Sequence, residues 1–248
     1  MALRTFADGR VFGEVTGTGA PNILALHGWG RRGSDFAAVL EGFNAIAVDL
    51  PGFGASPPPH TSMGAPGYAD ILSPLLQEFE APPVVIGHSF GGRVAVCLAV
   101  RDDVALGSLV LTGVPLVRTA PPDKPRLGYR IVRSLNRAGV ISDARLEAER
   151  QKRGSADYRA ATGVMRDILV TVVNESYEGQ LEQLRVPVAM VWGSEDAEVP
   201  VAVARKAAEI IDIAGGQATL EIVDGVGHLM PIEAPQRLRS ALLGLVGR

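Results

Sequence analysis

Apolar residues along this chain fall into two alternating patterns. Short runs at Asn22–Leu26, Ala45–Val48, Ala81–Ile86, Leu109–Thr112, Val188–Trp192 and Ala218–Val223 read as strands, most of them buried on both faces. Between them lie stretches with helical spacing: Ser34–Leu40 with Ser34 as N-cap, Tyr68–Glu80, Arg93–Val100, Val201–Ile211 and Pro235–Val246. Pro74 interrupts the second and predicts a kink or two short helices. At the start, Leu3–Phe6 and Arg10–Thr16 flank Asp8-Gly9, a hairpin signal that predicts a pair of antiparallel edge strands. Alternation of this kind predicts an α/β fold, a mostly parallel doubly wound sheet of about eight strands with helices on both faces and right-handed crossovers.

From Val117 to Leu184 the pattern changes. Helical spacing dominates over Pro125–Ala138, Asp143–Arg153 behind the N-cap Ser142, and Ala156–Val173 behind the N-cap Ser155. About 65 residues without a buried strand are too many for a plain connection. They read as a helical cap inserted after the sixth strand, so that 1–116 and 185–248 form the core and 117–184 the lid. The cap holds Tyr129, Tyr158 and Tyr177 but no Phe or Trp, which suggests an aliphatic roof with a few polar handles. Between Arg118 and Ser142 it carries Arg118, Lys124, Arg126, Arg130, Arg133 and Arg137 against Asp123. Such a face is either simply solvated or steers an anionic substrate or an acidic acyl-carrier partner.

Composition narrows the class. With 47% hydrophobic and 21% charged residues the chain is globular rather than disordered. A net charge of −3 argues against nucleic-acid binding. No apolar run approaches the roughly 18 residues of a membrane span, and Met1–Asp8 begins no secretory h-region. Cys97, the one cysteine, fits a reducing compartment and reads as a small core residue. The four histidines have no ligand-like spacing, so neither metal nor cofactor is expected. A cytoplasmic location follows as the expectation.

Chemistry concentrates at the strand ends, where a doubly wound sheet binds its ligands. Gly87-His88-Ser89-Phe90-Gly91-Gly92 carries Gly-x-Ser-x-Gly between a strand and a helix, the setting that a nucleophile elbow requires, although taken alone an ordinary strand-to-helix turn would read the same. The other strand ends carry His27-Gly28-Trp29, Asp49, Gly193-Ser194-Glu195-Asp196 and Gly225-Val226-Gly227-His228. A serine, a carboxylate and a histidine therefore occur in that order, each after a different strand.

These pieces, together with Asp49-Leu50-Pro51-Gly52-Phe53-Gly54, Trp192–Asp196 with Val199-Pro200, and Gly227-His228 leading to Glu233-Ala234-Pro235, make the chain resemble the α/β-hydrolase-fold proteins over essentially its whole length. The resemblance is to the capped serine hydrolases and esterases. It implies Ser89 as nucleophile, His228 as base and Asp196 as the acid that orients it. Glu195 is the rival carboxylate; the resemblance places the acid three residues after Gly193. It also implies an oxyanion hole from the backbone N–H groups of Phe90 and Trp29. His27 and His88 are expected as scaffold, and Asp49 as a structural residue of its turn.

A serine nucleophile implies acyl transfer on a small-molecule carboxylic ester or thioester, through an acyl-enzyme. A carbon–carbon bond hydrolase or a perhydrolase on the same residues stays open, as does a non-catalytic small-molecule receptor of the same fold. The carbon–carbon hydrolases of the family commonly carry tryptophan after the catalytic histidine, where this chain has Leu229.

Overall fold

The computed structural model describes residues 2–118, 134–137, 139–153 and 155–246. Its strands are β1 (Ala2–Phe6), β2 (Val11–Thr16), β3 (Ile23–Leu26), β4 (Ala45–Asp49), β5 (Val84–His88), β6 (Ser108–Thr112), β7 (Val188–Gly193) and β8 (Ala218–Val223). They form one sheet in the order β1-β2-β4-β3-β5-β6-β7-β8. The β1–β2 hairpin turns through Ala7, Asp8 and Gly9, all at positive φ. β2 is antiparallel to both β1 and β4, while every pair from β4 to β8 is parallel. Only β2 therefore runs against the rest. The expected pair of edge strands is corrected in one respect: β1 lies at the edge, but β2 is sandwiched between β1 and β4.

The helices are α1 (Ala37–Leu40), α2 (Ala65–Leu72), α3 (Phe90–Ala99), α4 (Asp143–Arg153), α5 (Ala156–Ala160), α6 (Gly163–Val172), α7 (Glu178–Leu181), α8 (Val201–Ile213), α9 (Met230–Glu233) and α10 (Pro235–Leu243). Alternate strand residues feed two apolar layers. Leu24, Leu26, Val85, Leu109 and Leu111 face α3 and α8, and Ile23, Ala25, Val84, Ile86 and Val110 face α1 and α10. Burial on both faces is why β3, β5 and β6 read as continuous apolar runs. Cys97 lies in the first layer, 5% exposed.

Local chemistry moved some boundaries. Ser34 sits inside a 3₁₀ turn, Gly33–Phe36, and caps nothing; Arg32 holds the N-cap position without a side-chain bond. Pro74 opens a second 3₁₀ stretch, Ser73–Glu78, because α2 cannot continue through a residue that lacks an N–H. Ser155 does cap, its Oγ accepting from Tyr158 N at 3.1 Å, but the helix behind it breaks after five residues. Ala161 and Thr162 are extended, and Arg166 Nε donates to the Ala161 carbonyl at 2.8 Å, which satisfies the break. Of the expected helix Pro125–Ala138, residues 134–137 are helical and the remainder lies outside the described residues, as do Tyr129 and Lys124, Arg126, Arg130 and Arg133.

After β6, the described helices α6 and α7 pack back toward α3. On α6, Ile168, Leu169 and Val172 are buried in the same cluster as α3. A buried polar chain fastens its return: Arg93 of α3 donates to the Val172 carbonyl, with its guanidinium over the Tyr177 ring at 5.7 Å. Tyr177 donates to Glu175 at 2.5 Å, and Glu175 accepts from Ala65 N at the start of α2. Among the described residues no helix is long and apolar enough to cross a membrane.

Candidate active site

β5 ends in a turn that no ordinary strand-to-helix junction makes. Ser89 has φ +50° and ψ −114°, a region that costs a non-glycine residue about 1–3 kcal/mol. The surroundings hold it there. Ser89 N donates to the Thr112 carbonyl at 3.0 Å, and the Ser89 carbonyl accepts from Gly92 N at 3.1 Å. A Cβ on Gly87 would lie 2.5 Å from Gly92 Cα, and one on Gly91 would run into the Leu26 carbonyl. Glycine at both positions is what lets β5, β3 and α3 approach so closely.

The loop after β3 runs beside this turn, since β3 pairs with β5 in the register Leu26 to Gly87. A Cβ on Gly28 would fall 2.8 Å from His88 Nδ1 and 3.3 Å from Ser89 Cβ. Among the described residues the backbone N–H groups of Trp29 and Phe90 have no acceptor. Free donors beside a helix N-terminus attract negative charge. The Trp29 ring meets Phe53 and Phe90 edge-on at 4.9 and 5.4 Å. Tyr68 packs on Phe90 at 4.9 Å while its hydroxyl donates to the Pro51 carbonyl. Met165 of α6 reaches down onto Gly52 in the turn after β4.

Two of the singled-out residues serve the scaffold. His27, fully buried, donates from Nδ1 to the Gly28 carbonyl and accepts the Leu50 N–H at Nε2. Burial lowers its pKa, so the ring is neutral. Asp49 accepts from Gly33 N at 2.9 Å and Ala55 N at 2.8 Å, closing the turn after β4.

The loops after β7 and β8 supply an acid and a base in contact. His228 Nδ1 lies 2.9 Å from Asp196 Oδ2, and the Asp196 side chain is 1% exposed. The other oxygen, Oδ1, accepts from Glu198 N at 3.0 Å and Val199 N at 2.8 Å. Three donors thus hold the two carboxylate oxygens in place. Glu195 is exposed, and its backbone N–H is bonded to the Val226 carbonyl.

Three further residues, to which the sequence assigned no role in catalysis, hold His228. Glu233 of α9 accepts from Gly227 N at 2.7 Å and from Leu229 N at 3.2 Å, clamping the backbone on both sides of the histidine. His88, 3% exposed, lies 2.9 Å from the His228 carbonyl through Nε2, its ring 4.8 Å from the His228 ring. Burial, then the neighbouring His228, push the His88 pKa down to about 3, so the ring is neutral; the carbonyl can only accept, which places the ring proton on Nε2. Gly113, at φ +59°, lies under the ring: a Cβ there would sit 2.9 Å from His228 Cε1. The motif Gly227-His228…Glu233 and the glycine after β6 were visible in the sequence, but nothing in it tied them to the histidine.

Burial pulls the His228 pKa down, yet the hydrogen bond to Asp196 and the charges of Asp196, Glu198 and Glu233 outweigh it and raise it above the ordinary imidazole value. Ser89 follows β5 and His228 follows β8, two strands beyond its neighbour β6 in the sheet, and the His88 side chain reaches across to the His228 carbonyl; among the described residues no hydrogen bond joins Ser89 Oγ to His228. Nucleophile–base bonds are commonly long before substrate binds. Instead Nε2 faces the Glu198 carboxylate at 3.6 Å. Among the described residues no group of three or more His, Cys, Asp or Glu side chains is arranged to hold a metal.

Known proteins are similar to this chain over most of its length. The pimeloyl-[acyl-carrier protein] methyl ester esterase of Chromobacterium violaceum is 31% identical over 221 residues, 80% of this chain and 85% of the relative. A 2-hydroxy-6-oxononadienedioate/2-hydroxy-6-oxononatrienedioate hydrolase of Cupriavidus pinatubonensis is 25% identical, covering 96% of this chain and 91% of the relative. A solved serine hydrolase involved in carbazole degradation superposes with a TM-score of 0.70 at 23% identity, over 99% of this chain and 98% of the other, a likeness of fold. Residues 23–241 match the model of the alpha/beta hydrolase family, and the chain belongs to that family and is a hydrolase.

Proposed function

We propose that the protein cleaves a small-molecule carboxylic ester or thioester through an acyl-enzyme on Ser89. The observation that carries this reading is the strained Ser89 backbone, held by the contacts of Gly87 and Gly91 beside two unpartnered N–H groups. Strain that the surroundings over-determine marks a functional position. In the reaction Ser89 Oγ bonds to the carbonyl carbon and its proton passes to His228 Nε2. The carbonyl oxygen becomes an oxyanion that the N–H groups of Trp29 and Phe90 receive. As the tetrahedral centre collapses, the bond to the leaving oxygen or sulfur breaks and His228 returns the proton to it. Water then repeats the sequence on the acyl-enzyme, releasing the acid. Asp196 fixes the Nδ1–H tautomer and stabilises the imidazolium.

Residues 117–184 form the cap in this reading, with α6 and the Trp29–Phe53–Phe90 wall excluding water from the reacting centre. The relative from Chromobacterium violaceum acts on an acyl-carrier protein ester, which favours the ester reading and an acyl-carrier partner for the basic segment around Arg118 and Arg137. The Cupriavidus pinatubonensis relative favours a second reading, hydrolysis of a carbon–carbon bond beside a carbonyl on the same residues.

One experiment separates them. The protein is treated with a fluorophosphonate, the adduct is located by mass spectrometry, and short to long acyl esters are assayed beside a ring-cleavage dioate, with Ser89→Ala as control. Ser89 labelling with Ser89-dependent ester turnover is expected. Labelling with dioate turnover alone would move the assignment to carbon–carbon cleavage, and no labelling at Ser89 would overturn both.

A further inference from the structure

The ring nitrogen of His228 that must exchange protons with Ser89 has a neighbour that the proposed chemistry does not use. Glu198 Oε2 lies 3.6 Å from His228 Nε2, and its side chain is 71% exposed, so the carboxylate stands where the site opens to solvent. It does not stand there by accident of a loose loop. The Glu198 N–H donates to Asp196 Oδ1 at 3.0 Å and the Val199 N–H to the same oxygen at 2.8 Å. Asp196, itself buried, thus fixes both the tautomer of His228 and the backbone from which Glu198 reaches Nε2.

This geometry has a consequence for substrate choice, and it rests on the reading of Ser89 and His228 given above. His228 protonates the leaving group, so the leaving atom comes within hydrogen-bond reach of Nε2. Any charge on the alcohol or thiol portion is then within several ångströms of Glu198, whereas the acyl portion extends away from it. We propose that Glu198 is a specificity-determining residue for the leaving group: its carboxylate disfavours anionic alcohol portions and favours cationic ones of equal size. The other charged and titratable groups facing His228 are Asp196 from the same loop, Glu233 from α9 and His88 from the end of β5. Asp196 and Glu233 are bound to donors of the protein itself; Glu198 has its carboxylate turned to the opening. Arg31, a basic group whose charge reaches His88, is paired with Asp35.

The test uses three acetate esters of similar size: choline (cationic), 3,3-dimethylbutyl (neutral) and 3-sulfopropyl (anionic). Each kcat/KM is divided by the ester's hydroxide-catalysed rate. Relative to the neutral ester, about threefold to tenfold preference for choline and a similar penalty on sulfopropyl are expected, the size of a part-solvated charge–charge interaction. Both ratios should shrink with added salt. Glu198→Gln should bring the ratios close to one and Glu198→Lys should invert them; both variants keep the backbone bond to Asp196. Equal ratios in wild type and both variants would overturn the inference. A second readout separates this from failure of the ester reading. If no ester is turned over, Ser89 labelling rates are compared for phosphonates with a thiocholine and a neutral thiol leaving group. A thiocholine preference lost in Glu198→Gln sustains the inference, an unchanged ratio overturns it, and no labelling at Ser89 overturns it together with the nucleophile assignment.

Discussion

Ser89 and His228 are held by different physics. The serine is fixed sterically: its turn exists because Gly87, Gly91 and the Leu26 carbonyl leave room for no other path. The histidine is fixed by polar contacts on all sides, through Asp196 on the ring, Glu233 on the two flanking N–H groups and His88 on the carbonyl. Steric restraint is rigid and local, which suits the proposed role of Ser89, attack along one line. Polar restraint can give slightly, which suits the proposed role of His228, a ring that changes charge and passes a proton on. It also ties the ring's proton affinity to its placement, because the groups that hold His228 are largely those that raise its pKa.

Breaking the polar side at its centre should have the largest effect. Asp196→Asn is expected to lower kcat by about 10³–10⁴-fold, since an amide cannot hold the Nδ1–H tautomer. Burst kinetics would show slowed acylation, with KM little changed and the fold retained by circular dichroism. Next comes the steric side. Gly91→Ala should cost about 3 kcal/mol of stability, because the new methyl meets backbone that cannot move aside. Gly179→Ala in α7, where a Cβ meets nothing within 4 Å, is the control and should be neutral or stabilising in urea unfolding.

Glu233→Gln should have an intermediate effect. It leaves one of the two loop N–H groups facing an amide N–H, and about 1–3 kcal/mol is expected to be lost. Because Glu233 raises the His228 pKa, the acidic limb of kcat/KM should also move to lower pH in this variant. A loss of stability without that movement would mean that the clamp holds the loop but does not tune the ring.

The remaining prediction concerns pH, and the two adjacent histidines predict opposite signs. His228 is raised, so its contribution to stability is full below the unfolded value near 6.5 and fades as pH rises through its higher folded value. His88 is lowered to about 3, so its contribution is full above about 6.5 and is lost as pH falls toward 3. His88→Gln keeps an N–H for the His228 carbonyl but removes the titration. The urea midpoint of this variant should fall less steeply than wild type between pH 6 and 4; an identical slope would place the acid sensitivity elsewhere.

What was legible in the sequence follows the same division. The glycines of the elbow announce themselves at fixed offsets from Ser89, and the strand ends could be enumerated because apolar runs stop there. Asp196 and His228 came from such ends, and the structure puts them 2.9 Å apart. Glu233, His88 and Gly113 were present as letters but silent as contacts, because a hydrogen bond between segments up to 140 residues apart leaves no periodicity to read. Ser34 and the long Ala156–Val173 helix misled for a related reason. Capping and spacing are local preferences, and the packing of α1 and the extended pair Ala161-Thr162 decided otherwise.

The strands of the sheet, the glycine-flanked turn at Ser89 and the chain order of Ser89, Asp196 and His228 were all readable from the sequence. These depend on period, steric size and turn chemistry, which act between near neighbours. Only the folded chain shows that the Trp29 and Phe90 N–H groups lack an acceptor among the described residues, that Glu233 clamps the His228 loop, and that Glu198 faces Nε2. Those outcomes depend on where separate loops meet at one edge of a twisted sheet, a distance that no local pattern encodes.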